Sequence, residues 1–267
     1  MTTLTKLMDL RGRRALVTGA AGGLGRTMSD CLAELGADLV LVDLPGVDIA
    51  PQATELAECH GVSVQLEYCD LEDASQREAL AARVLGNGSG LNILVNNAAF
   101  VGTSGLSGWA VPFEDQSVET WRRALEVNLT SVFHLCQLFA PALKAGAGSS
   151  IVNIASIYGE YGPDWSLYEG TSMANPAAYG ASKGGVIQFT RWLATTLGPE
   201  VRVNAISPGG VARDQPESFV ERYEARTPLR RMATEDDFRG AIAYLTSDMS
   251  AYVTGQVLRV DGGWGVW

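Results

Sequence analysis

A tyrosine and a lysine four positions apart form a pair that can carry out proton chemistry. Tyr179 and Lys183 stand in the run YGASK, and helical residues at i and i+4 lie on one face. A phenol has a pKa of about 10, so it acts as a base near neutral pH only if its phenolate is stabilised. The Lys183 ammonium and a positively charged nicotinamide ring can supply that stabilisation. An exposed lysine covering a packed tyrosine has the same spacing, so the pair alone is weak evidence.

A glycine-rich run near the N-terminus has the residue types that hold a pyrophosphate. An apolar stretch at 15–17 leads into TGAAGGLG at 18–25, and a helical pattern then continues to Leu35. A second apolar stretch at 39–42 ends at Asp43. This order of strand, glycine turn, helix and strand places a pyrophosphate on a helix N-terminus. The context favours a nucleotide site over an ordinary glycine turn.

The glycines of this run have separate functions, and the acid after it indicates the cofactor. Gly19 permits the tight turn, Gly23 lets backbone N–H groups approach phosphate oxygens, and Gly25 lets the helix pack closely on the strand. The Asp43 carboxylate can accept hydrogen bonds from adenosine ribose hydroxyls and repels a 2′-phosphate. Since no Lys or Arg stands among residues 20–24 or directly after Asp43, we predict NAD in preference to NADP.

Strands and helices alternate along the chain and predict the scaffold for these groups. Beyond Asp43, hydrophobic patterning predicts helices at 51–59, 74–85, 117–144, 177–197 and 234–247, and strands at 62–67, 91–95, 150–155, 201–206 and 257–260. This alternation implies right-handed crossovers and a parallel sheet covered on both faces. We predict an α/β, Rossmann-type doubly wound sheet of about seven strands. The whole chain, residues 1–267, is expected to form one domain.

Composition disfavours several classes of partner. With 30 acidic and 20 basic residues the net charge is −10, which argues against nucleic acid and anionic membranes. The N-terminus has no long apolar core and no stretch is typical of a membrane-spanning helix, so we expect neither a signal peptide nor an anchor, and a cytoplasmic location. The cysteines lack paired spacing and the histidines are far apart, so we predict reduced thiols and no metal site.

The full set of chemistry-bearing residues resembles the short-chain dehydrogenase/reductase family, of the type with a single compact domain. In chain order the resemblance rests on Thr18 to Gly25, Asp43, Asp70, Asn96 to Ala99, Asn128, Ser156, Tyr179, Lys183, Pro208-Gly209 and Asp261-Gly262-Gly263. This pattern covers nearly the whole chain. It implies an oxidoreductase in which hydride moves between C4 of the nicotinamide and a carbinol carbon, while Tyr179 takes or gives the proton.

The resemblance also implies roles for individual residues. Tyr179 resembles the general acid/base, and Lys183 the residue that binds the nicotinamide ribose and lowers the tyrosine pKa. Ser156 resembles the group that hydrogen-bonds the reacting oxygen, Asn128 one that helps hold a water in the proton relay, and Asp70 the adenine contact. The expected cofactor contacts are Gly19, Gly22, Gly23, Leu24, Asp43, Asp70, Leu71, Asn97, Ala98, Tyr179, Lys183, Pro208, Gly209 and Val211.

This chain departs from the family pattern at two points. Ala99 stands in the last place of the family's Asn-Asn-Ala-Gly, where its extra methyl group is expected to be tolerated. Ser156 and Tyr179 are 23 positions apart, which is longer than the family's usual spacing. Ser166 and Ser172 therefore compete for the serine role, although Ser156, at the end of an apolar strand, has the better position.

The segment that lengthens this interval is rich in aromatic and hydrogen-bonding side chains. Residues 159–171 read GEYGPDWSLYEGT. Aromatic faces suit the apolar faces of a hydroxylated ring, and its hydroxyls suit Glu160, Asp164, Ser166 or Glu169. The alternative is a structural flap or a subunit contact built from the same aromatics. We predict substrate loops at 100–116, 157–176 and 210–232, with substrate contacts from Ser156, Tyr158, Trp165, Tyr168, Tyr179 and Arg213.

A cluster of arginines follows the Pro-Gly turn. A guanidinium matches phosphate, sulfonate or carboxylate in a bidentate fashion, which suggests a substrate with an anionic group. Arg213 lies nearest the turn in sequence and is expected nearest the nicotinamide. The alternative is a mobile amphipathic helix on which the arginines pair with the neighbouring acids Asp214, Glu217, Glu221 and Glu224; the five arginines are Arg213, Arg222, Arg226, Arg230 and Arg231.

The segments 159–171 and 210–216 and the Trp264/Trp267 tail resemble a subgroup of the family that acts on sugars. We therefore predict an NAD-dependent oxidoreductase for a sugar or sugar derivative, with an anionic sugar included. The alternatives are another secondary alcohol (a polyol, a hydroxy acid, a steroid-like or a 3-oxoacyl substrate), an inactive NAD-binding protein, or a sugar-nucleotide epimerase or dehydratase. The short part after Gly210 leaves little room for the substrate domain of such an epimerase.

Assembly is predicted from the two longest helical patterns. The segments 117–144 and 177–197 carry apolar residues on more than one face, so one stripe can cover the sheet and the surplus needs a partner. The family resemblance implies a homotetramer built on these helices.

Overall fold

A parallel sheet forms the centre of the protein. The computed structural model describes residues 2–86, 88, 90–102 and 104–267. The strands are β1 Arg14–Thr18, β2 Asp38–Asp43, β3 Val64–Tyr68, β4 Ile93–Asn96, β5 Ser149–Ile154, β6 Val201–Pro208 and β7 Val257–Val260. In the described part of the chain they form a seven-stranded sheet in the order β3-β2-β1-β4-β5-β6-β7. The predicted doubly wound α/β fold is confirmed.

Helices cover both faces of this sheet. They are α1 Leu4–Met8, α2 Gly23–Glu34, α3 Ala50–His60, α4 Ala74–Leu85, α5 Val118–Leu125, α6 Ser131–Ala145, α7 Ala177–Leu197, α8 Glu217–Arg226 and α9 Arg239–Thr246. Alternate residues of β1 point to opposite faces, so Leu16 packs with α4, α6 and α7 while Val17 packs with α2, α3 and α9. Because both faces are buried, the strands are apolar throughout. Among the residues that the structure describes, no helix is long and apolar enough to cross a membrane.

The predicted helix at 117–144 is interrupted. A π-helical turn, Glu126–Thr130, separates α5 from α6. Such a turn adds a residue to the helical repeat and is frequent at functional sites. The prediction of one continuous helix was wrong here because hydrophobic periodicity alone does not reveal a single-turn π segment.

Helix α8 lies in the segment predicted as a polar substrate loop, for which an amphipathic helix was the alternative. Its sequence, ESFVERYEAR, is strongly charged, and its buried residues are Phe219 and Tyr223. Two aromatic residues at i and i+4 are a narrow stripe for so short a helix, which explains why the sequence indicated the helix only as an alternative.

The sheet changes direction of winding between β1 and β4, which are neighbours in the sheet but not in the chain. At the carboxyl ends of these strands, Thr18 Oγ1 accepts hydrogen bonds from the backbone N–H groups of Asn97, at 3.0 Å, and Ala98, at 3.1 Å. The turn after β1 is thereby tied to the turn after β4. Open α/β sheets bind ligands in the crevice at this switch point.

Candidate active site

A cavity of about 1290 Å³ lies at the carboxyl edge of the sheet. All the predicted cofactor contacts line it, from Gly19 in the first turn to Val211 after β6. Its volume exceeds the roughly 300–1,000 Å³ of a site for a drug-sized ligand. The cavity therefore has room for a dinucleotide together with a second small molecule.

The glycine turn has the close approaches that the sequence predicted. Gly19 has φ +64°, and a Cβ on it would lie 2.9 Å from Ala98 Cα. A Cβ on Gly25 would overlap the carbonyl oxygen of Gly19. Gly22 is the N-cap of α2 and has no side chain to cap the first helical N–H groups. The turn thus fits a phosphate group, which is bound by backbone N–H groups at such an N-terminus.

Asp43, the last residue of β2, stands beside this turn. One carboxylate oxygen accepts a hydrogen bond from Ala21 N at 2.8 Å, and the other accepts one from Leu44 N at 2.8 Å. Each carboxylate oxygen has two acceptor sites. The half-buried carboxylate can therefore hold the glycine turn and still accept hydrogen bonds from ribose hydroxyls.

Lys183 is buried rather than exposed. Its side chain on α7 is 3% exposed, and its Nζ donates to Ile154 O at 2.7 Å. Nζ also lies 5.8 Å from the centre of the Tyr179 ring. Burial lowers the pKa of Lys183 to about 8. The interpretation of the pair as a solvated lysine over a packed tyrosine is therefore wrong.

Tyr179 and Ser156 meet at the wall of the cavity. Desolvation raises the pKa of the Tyr179 phenol, and a hydrogen bond with the Ser156 hydroxyl opposes that rise. Ser156 follows β5, is 5% exposed, and also accepts a hydrogen bond from Tyr158 N at 3.2 Å. Of the competing serines, Ser166 donates to Asp164 at 2.7 Å and Ser172 lines the cavity. The contact with Tyr179 favours Ser156.

Asn128 lies behind the cavity, inside the π turn. It is fully buried, and its Oδ1 accepts from Phe100 N at 2.7 Å. Its Nδ2 donates to Phe100 O at 2.9 Å and to Ser182 Oγ at 3.2 Å. These contacts fasten the chain after β4 to α7, the helix that carries Tyr179 and Lys183. The part in a water relay that the resemblance implies stays a prediction.

The segment 157–176 supplies a polar and aromatic wall opposite the glycine turn. The hydroxyls of Tyr158 and Tyr168 lie 2.7 Å apart, and Asn175 Nδ2 lies 3.5 Å from the Tyr168 oxygen. These three side chains line the cavity. Trp165 was also predicted to contact substrate, but it packs on Tyr168 outside the cavity and is 57% exposed. The segment turns through a 3₁₀ helix at 165–168, which directs the Trp165 side chain away from the site.

Two of the acidic residues of this segment form ion pairs, and neither lines the cavity. Glu160 accepts from Arg259 Nε at 2.8 Å, and Asp164 accepts from Arg226 Nη1 at 2.6 Å. Their expected contacts with substrate hydroxyls are therefore wrong for this structure. The segment also contributes to a buried cluster with α8 and the C-terminal tail, consisting of Ile157, Leu167, Phe219, Tyr223, Met232 and Trp264. One side of the segment lines the cavity and the other is structural.

Arg213 is not at the nicotinamide end, where the sequence analysis expected it. Its guanidinium pairs with Glu235, and a Cβ on Gly23 would lie 2.6 Å from Arg213 Nη2. Arg213 therefore lies over the glycine turn. The prediction assumed that nearness in sequence to the Pro-Gly turn meant nearness to the nicotinamide, but the chain beyond Val211 turns back toward α2.

The other arginines of the cluster also have partners different from those expected. Arg226 pairs with Asp164 and Arg231 with Asp237, while Arg222 Nη1 donates to Glu169 O at 2.6 Å. The expected pairing within the local sequence is wrong because α8 packs against the 157–176 segment. Of the predicted loop at 100–116, Phe100, Val101, Gly102, Ser104 and Ala110 line the cavity, and Thr103 lies outside the described residues.

Sequence reasoning missed Tyr223. Its ring stacks on Trp264 with centroids 4.6 Å apart, and its hydroxyl accepts a hydrogen bond from Gly210 N. It thereby holds the Pro-Gly-Gly turn against the cavity. Other unpredicted lining residues include Asn175, Gln215, Phe219 and Met232. The available signal was the pair of aromatics at 219 and 223 in a charged segment.

Comparison with known proteins finds relatives that match nearly the whole chain. A family profile described as enoyl-(acyl carrier protein) reductase matches residues 19–265. A probable galactose dehydrogenase from Rhizobium meliloti (strain 1021) is 33% identical over 262 residues, 96% of each chain. A cis-4-hydroxycyclohexanecarboxylate dehydrogenase from Sinomonas cyclohexanicum is 35% identical over 259 residues, 94% of this chain and 96% of the relative.

A solved structure superposes closely. It is a putative NAD(P)-dependent gluconate 5-dehydrogenase from Beutenbergia cavernae, 34% identical, with a TM-score of 0.85 over 98% of this chain and 100% of that chain. The chain belongs to the short-chain dehydrogenase/reductase family. It is accordingly an oxidoreductase that acts on the CH–OH group of alcohol/carbonyl substrates.

Proposed function

We propose that the protein is an NAD-dependent dehydrogenase or reductase of a secondary alcohol on a sugar or sugar derivative. The observation that carries the substrate class is the wall beside Tyr179, where the neutral hydroxyl and amide groups of Ser156, Tyr158, Tyr168 and Asn175 line the cavity. A hydroxylated ring offers such groups several hydrogen bonds and an apolar face for the aromatic rings.

The cofactor proposal rests on Asp43. Its carboxylate lies beside the glycine turn, where it favours ribose hydroxyls over a 2′-phosphate. Residues from Gly19 to Leu24, together with Asp70, Asn97 and Val211, would hold the dinucleotide along the cavity. When bound, the nicotinamide supplies the hydride acceptor or donor.

The chain's own residues handle the proton. Tyr179 exchanges it with the substrate oxygen at its phenolic Oη, and Ser156 Oγ holds the same oxygen by a hydrogen bond. Lys183, held by Ile154 O, stabilises the phenolate when its amine is charged. Burial raises the pKa of Tyr179 in the protein alone, and a positive charge beside the phenolate would lower it.

The relatives support this substrate class. Their names refer to galactose, to a hydroxycyclohexanecarboxylate and to gluconate, which are hydroxylated compounds with secondary alcohols. Arg213, the expected partner of an anionic substrate group, lies over the glycine turn instead of at the wall beside Tyr179. We therefore propose that the protein recognises the hydroxyl groups of its substrate. A substrate can also carry a carboxylate, but binding to this wall does not depend on one.

We also propose that the subunits assemble through α6 and α7. Phe133 on α6 is 45% exposed and Trp192 on α7 is 57% exposed. Phe189 links them, with ring centroids 5.8 Å from Phe133 and 6.3 Å from Trp192. A contiguous exposed aromatic stripe is typical of an interface between proteins. The proposed assembly is a homotetramer.

A substrate screen with a matched pair of variants tests the function. Purified protein is given NAD⁺ or NADP⁺ with hexoses, polyols, aldonic acids, cyclic hydroxy acids, steroid alcohols and the 3-hydroxyacyl counterparts of 3-oxoacyl substrates, and dinucleotide reduction is followed by absorbance. For the best substrate, Tyr168→Phe should raise KM by roughly tenfold, because a buried hydrogen-bond partner is left unpaired. Trp165→Phe, outside the cavity, should leave KM unchanged. Turnover of only steroid or 3-oxoacyl substrates would overturn the sugar proposal.

A further inference from the structure

An ion pair formed by the protein itself lies over the glycine turn. Arg213 and Glu235 are paired, and both groups touch the backbone of Gly23. A Cβ on Gly23 would lie 2.6 Å from Arg213 Nη2 and 2.6 Å from Glu235 Oε1. The guanidinium and the carboxylate therefore occupy space directly in front of the first turn of α2.

Backbone hydrogen bonds hold this pair in place. Val211 forms a parallel bridge with Ala233, Ala212 N donates to Ala233 O at 2.8 Å, and Ala233 N donates to Gly210 O at 2.9 Å. Arg213 and Glu235 follow these two bridged segments directly. These backbone hydrogen bonds therefore place Arg213 and Glu235 next to each other over Gly23.

The first turn of α2 attracts an anion. It carries no acidic residue of its own, and its N-cap is a glycine. The partial positive charge and free N–H groups of a helix N-terminus favour a negative group there. The Glu235 carboxylate approaches this turn from the far end of the chain, so a negative group already lies in front of it.

We propose that Arg213 binds the pyrophosphate of the dinucleotide, and that Glu235 competes with the pyrophosphate for Arg213 and for the α2 N-terminus. The proposal rests on the dinucleotide site of the proposed function. Pyrophosphate in front of Gly23 meets the guanidinium that now bonds Glu235, and a guanidinium fork fits phosphate oxygens in a bidentate fashion. Like charges repel, so Glu235 moves away as the dinucleotide enters.

This exchange gives the two residues opposite effects on affinity. Arg213 adds charge-assisted hydrogen bonds to the complex, whereas Glu235 stabilises the protein without dinucleotide. The Arg213 side chain is 45% exposed and that of Glu235 is 31% exposed, so both can change partners without unpacking a core. Glu235 therefore lowers affinity and speeds release of the dinucleotide, which limits turnover in many enzymes.

Calorimetric titration with ADP-ribose tests the proposal without any substrate. Arg213→Ala should raise the Kd for ADP-ribose by about tenfold or more, because charged hydrogen bonds are lost. Glu235→Gln should lower it by about threefold or more, because a competing anion is removed. Arg230→Ala, which removes an exposed arginine that bonds Ala225 O, is the charge-matched control and should leave the Kd unchanged. Adenosine, which has no phosphate, should bind the Arg213→Ala variant as it binds the wild type.

The outcomes separate this proposal from the proposed function. If the wild type does not bind ADP-ribose, the dinucleotide function fails. If the wild type binds it but Arg213→Ala binds it equally well, only the role of Arg213 is overturned. Equal weakening by Arg213→Ala and Glu235→Gln, or weakened adenosine binding, would mean that the pair merely stiffens the loop. If Arg213→Ala does not fold, tighter binding by Glu235→Gln supports the competition and any other result overturns it.

Discussion

At the scale of single residues, the burial of Lys183 has a measurable cost. Desolvation lowers the pKa of its amine from 10.5 to about 8, because burial disfavours the charged form. Below about pH 8 the folded protein keeps a buried ammonium with Ile154 O as its partner. Placing this charge beside Tyr179 therefore sacrifices stability for the stabilisation of a phenolate.

This cost predicts the pH dependence of stability. Between pH 8 and 10.5 the unfolded chain retains a proton on Lys183 that the folded protein has lost. The Lys183 contribution to the free energy of unfolding therefore rises with pH through this window, by on the order of 3 kcal/mol. Urea unfolding of the wild type and of Lys183→Met at both ends of the window measures it as a difference in slope. Equal slopes would show that Lys183 titrates normally.

We also propose that a single residue, Asp43, sets the choice of cofactor. Asp43→Ala removes the carboxylate that disfavours a 2′-phosphate, so we expect the ratio of kcat/KM for NAD⁺ to that for NADP⁺ to fall by about tenfold or more. Arg26→Ala is the control on the same turn, since Arg26 Nε donates to Ala21 O at 2.9 Å. An unchanged ratio for Asp43→Ala would remove Asp43 from this role.

Residue types and spacing predicted the positions of side chains that are fixed by local structure. They did not predict the positions of side chains that are fixed by contacts with distant parts of the chain. The glycine turn and the Tyr179/Lys183 pair are local, because their geometry follows from one turn and one helix. The position of Arg213 depends on its pairing with Glu235, 22 positions away, and on the bridge between Val211 and Ala233. Nothing in the spacing of the arginines contains that information.

Among the helices and strands, the π turn fastens α7, which carries Tyr179 and Lys183, to the chain after β4. The strands and most helices were predictable, because strands buried on both faces appear as continuous apolar runs and helices that cover a sheet show a helical apolar pattern. The π turn could not be predicted in this way, because it is marked only by the hydrogen bonds of Asn128 with Phe100 and Ser182, which form in the folded protein. Helix α8 was predicted only as an alternative, because its narrow buried stripe forms against the 157–176 segment.

Loss of the Asn128 hydrogen bonds is expected to lower the stability of the protein. Asn128→Ala leaves the N–H and C=O of Phe100 without their side-chain partner, and an unpaired buried polar group costs about 1–3 kcal/mol. Ser182→Ala retains both Phe100 bonds and should cost less. Chemical denaturation of the two variants gives the comparison. An Asn128→Ala variant as stable as the wild type would mean that Phe100 finds other partners.

For the whole molecule, we propose that subunits assemble through the exposed aromatic stripe formed by Phe133, Phe189 and Trp192 on α6 and α7. Trp192 and Trp165 are equally exposed, at 57%, but only Trp192 belongs to the stripe on α6 and α7. Trp192→Glu should therefore reduce the molar mass measured by light scattering at micromolar concentration, and Trp165→Glu should not. A wild-type protein that is monomeric under these conditions would contradict the proposed tetramer.

We propose that the fold brings a dinucleotide and a hydroxylated substrate to Tyr179. The variant Tyr179→Phe removes only the oxygen that would carry the proton. We predict that turnover of the best substrate falls by roughly a hundredfold or more at every pH, while NADH still binds with wild-type affinity in a fluorescence titration. Near-full activity of Tyr179→Phe with intact NADH binding would contradict the account.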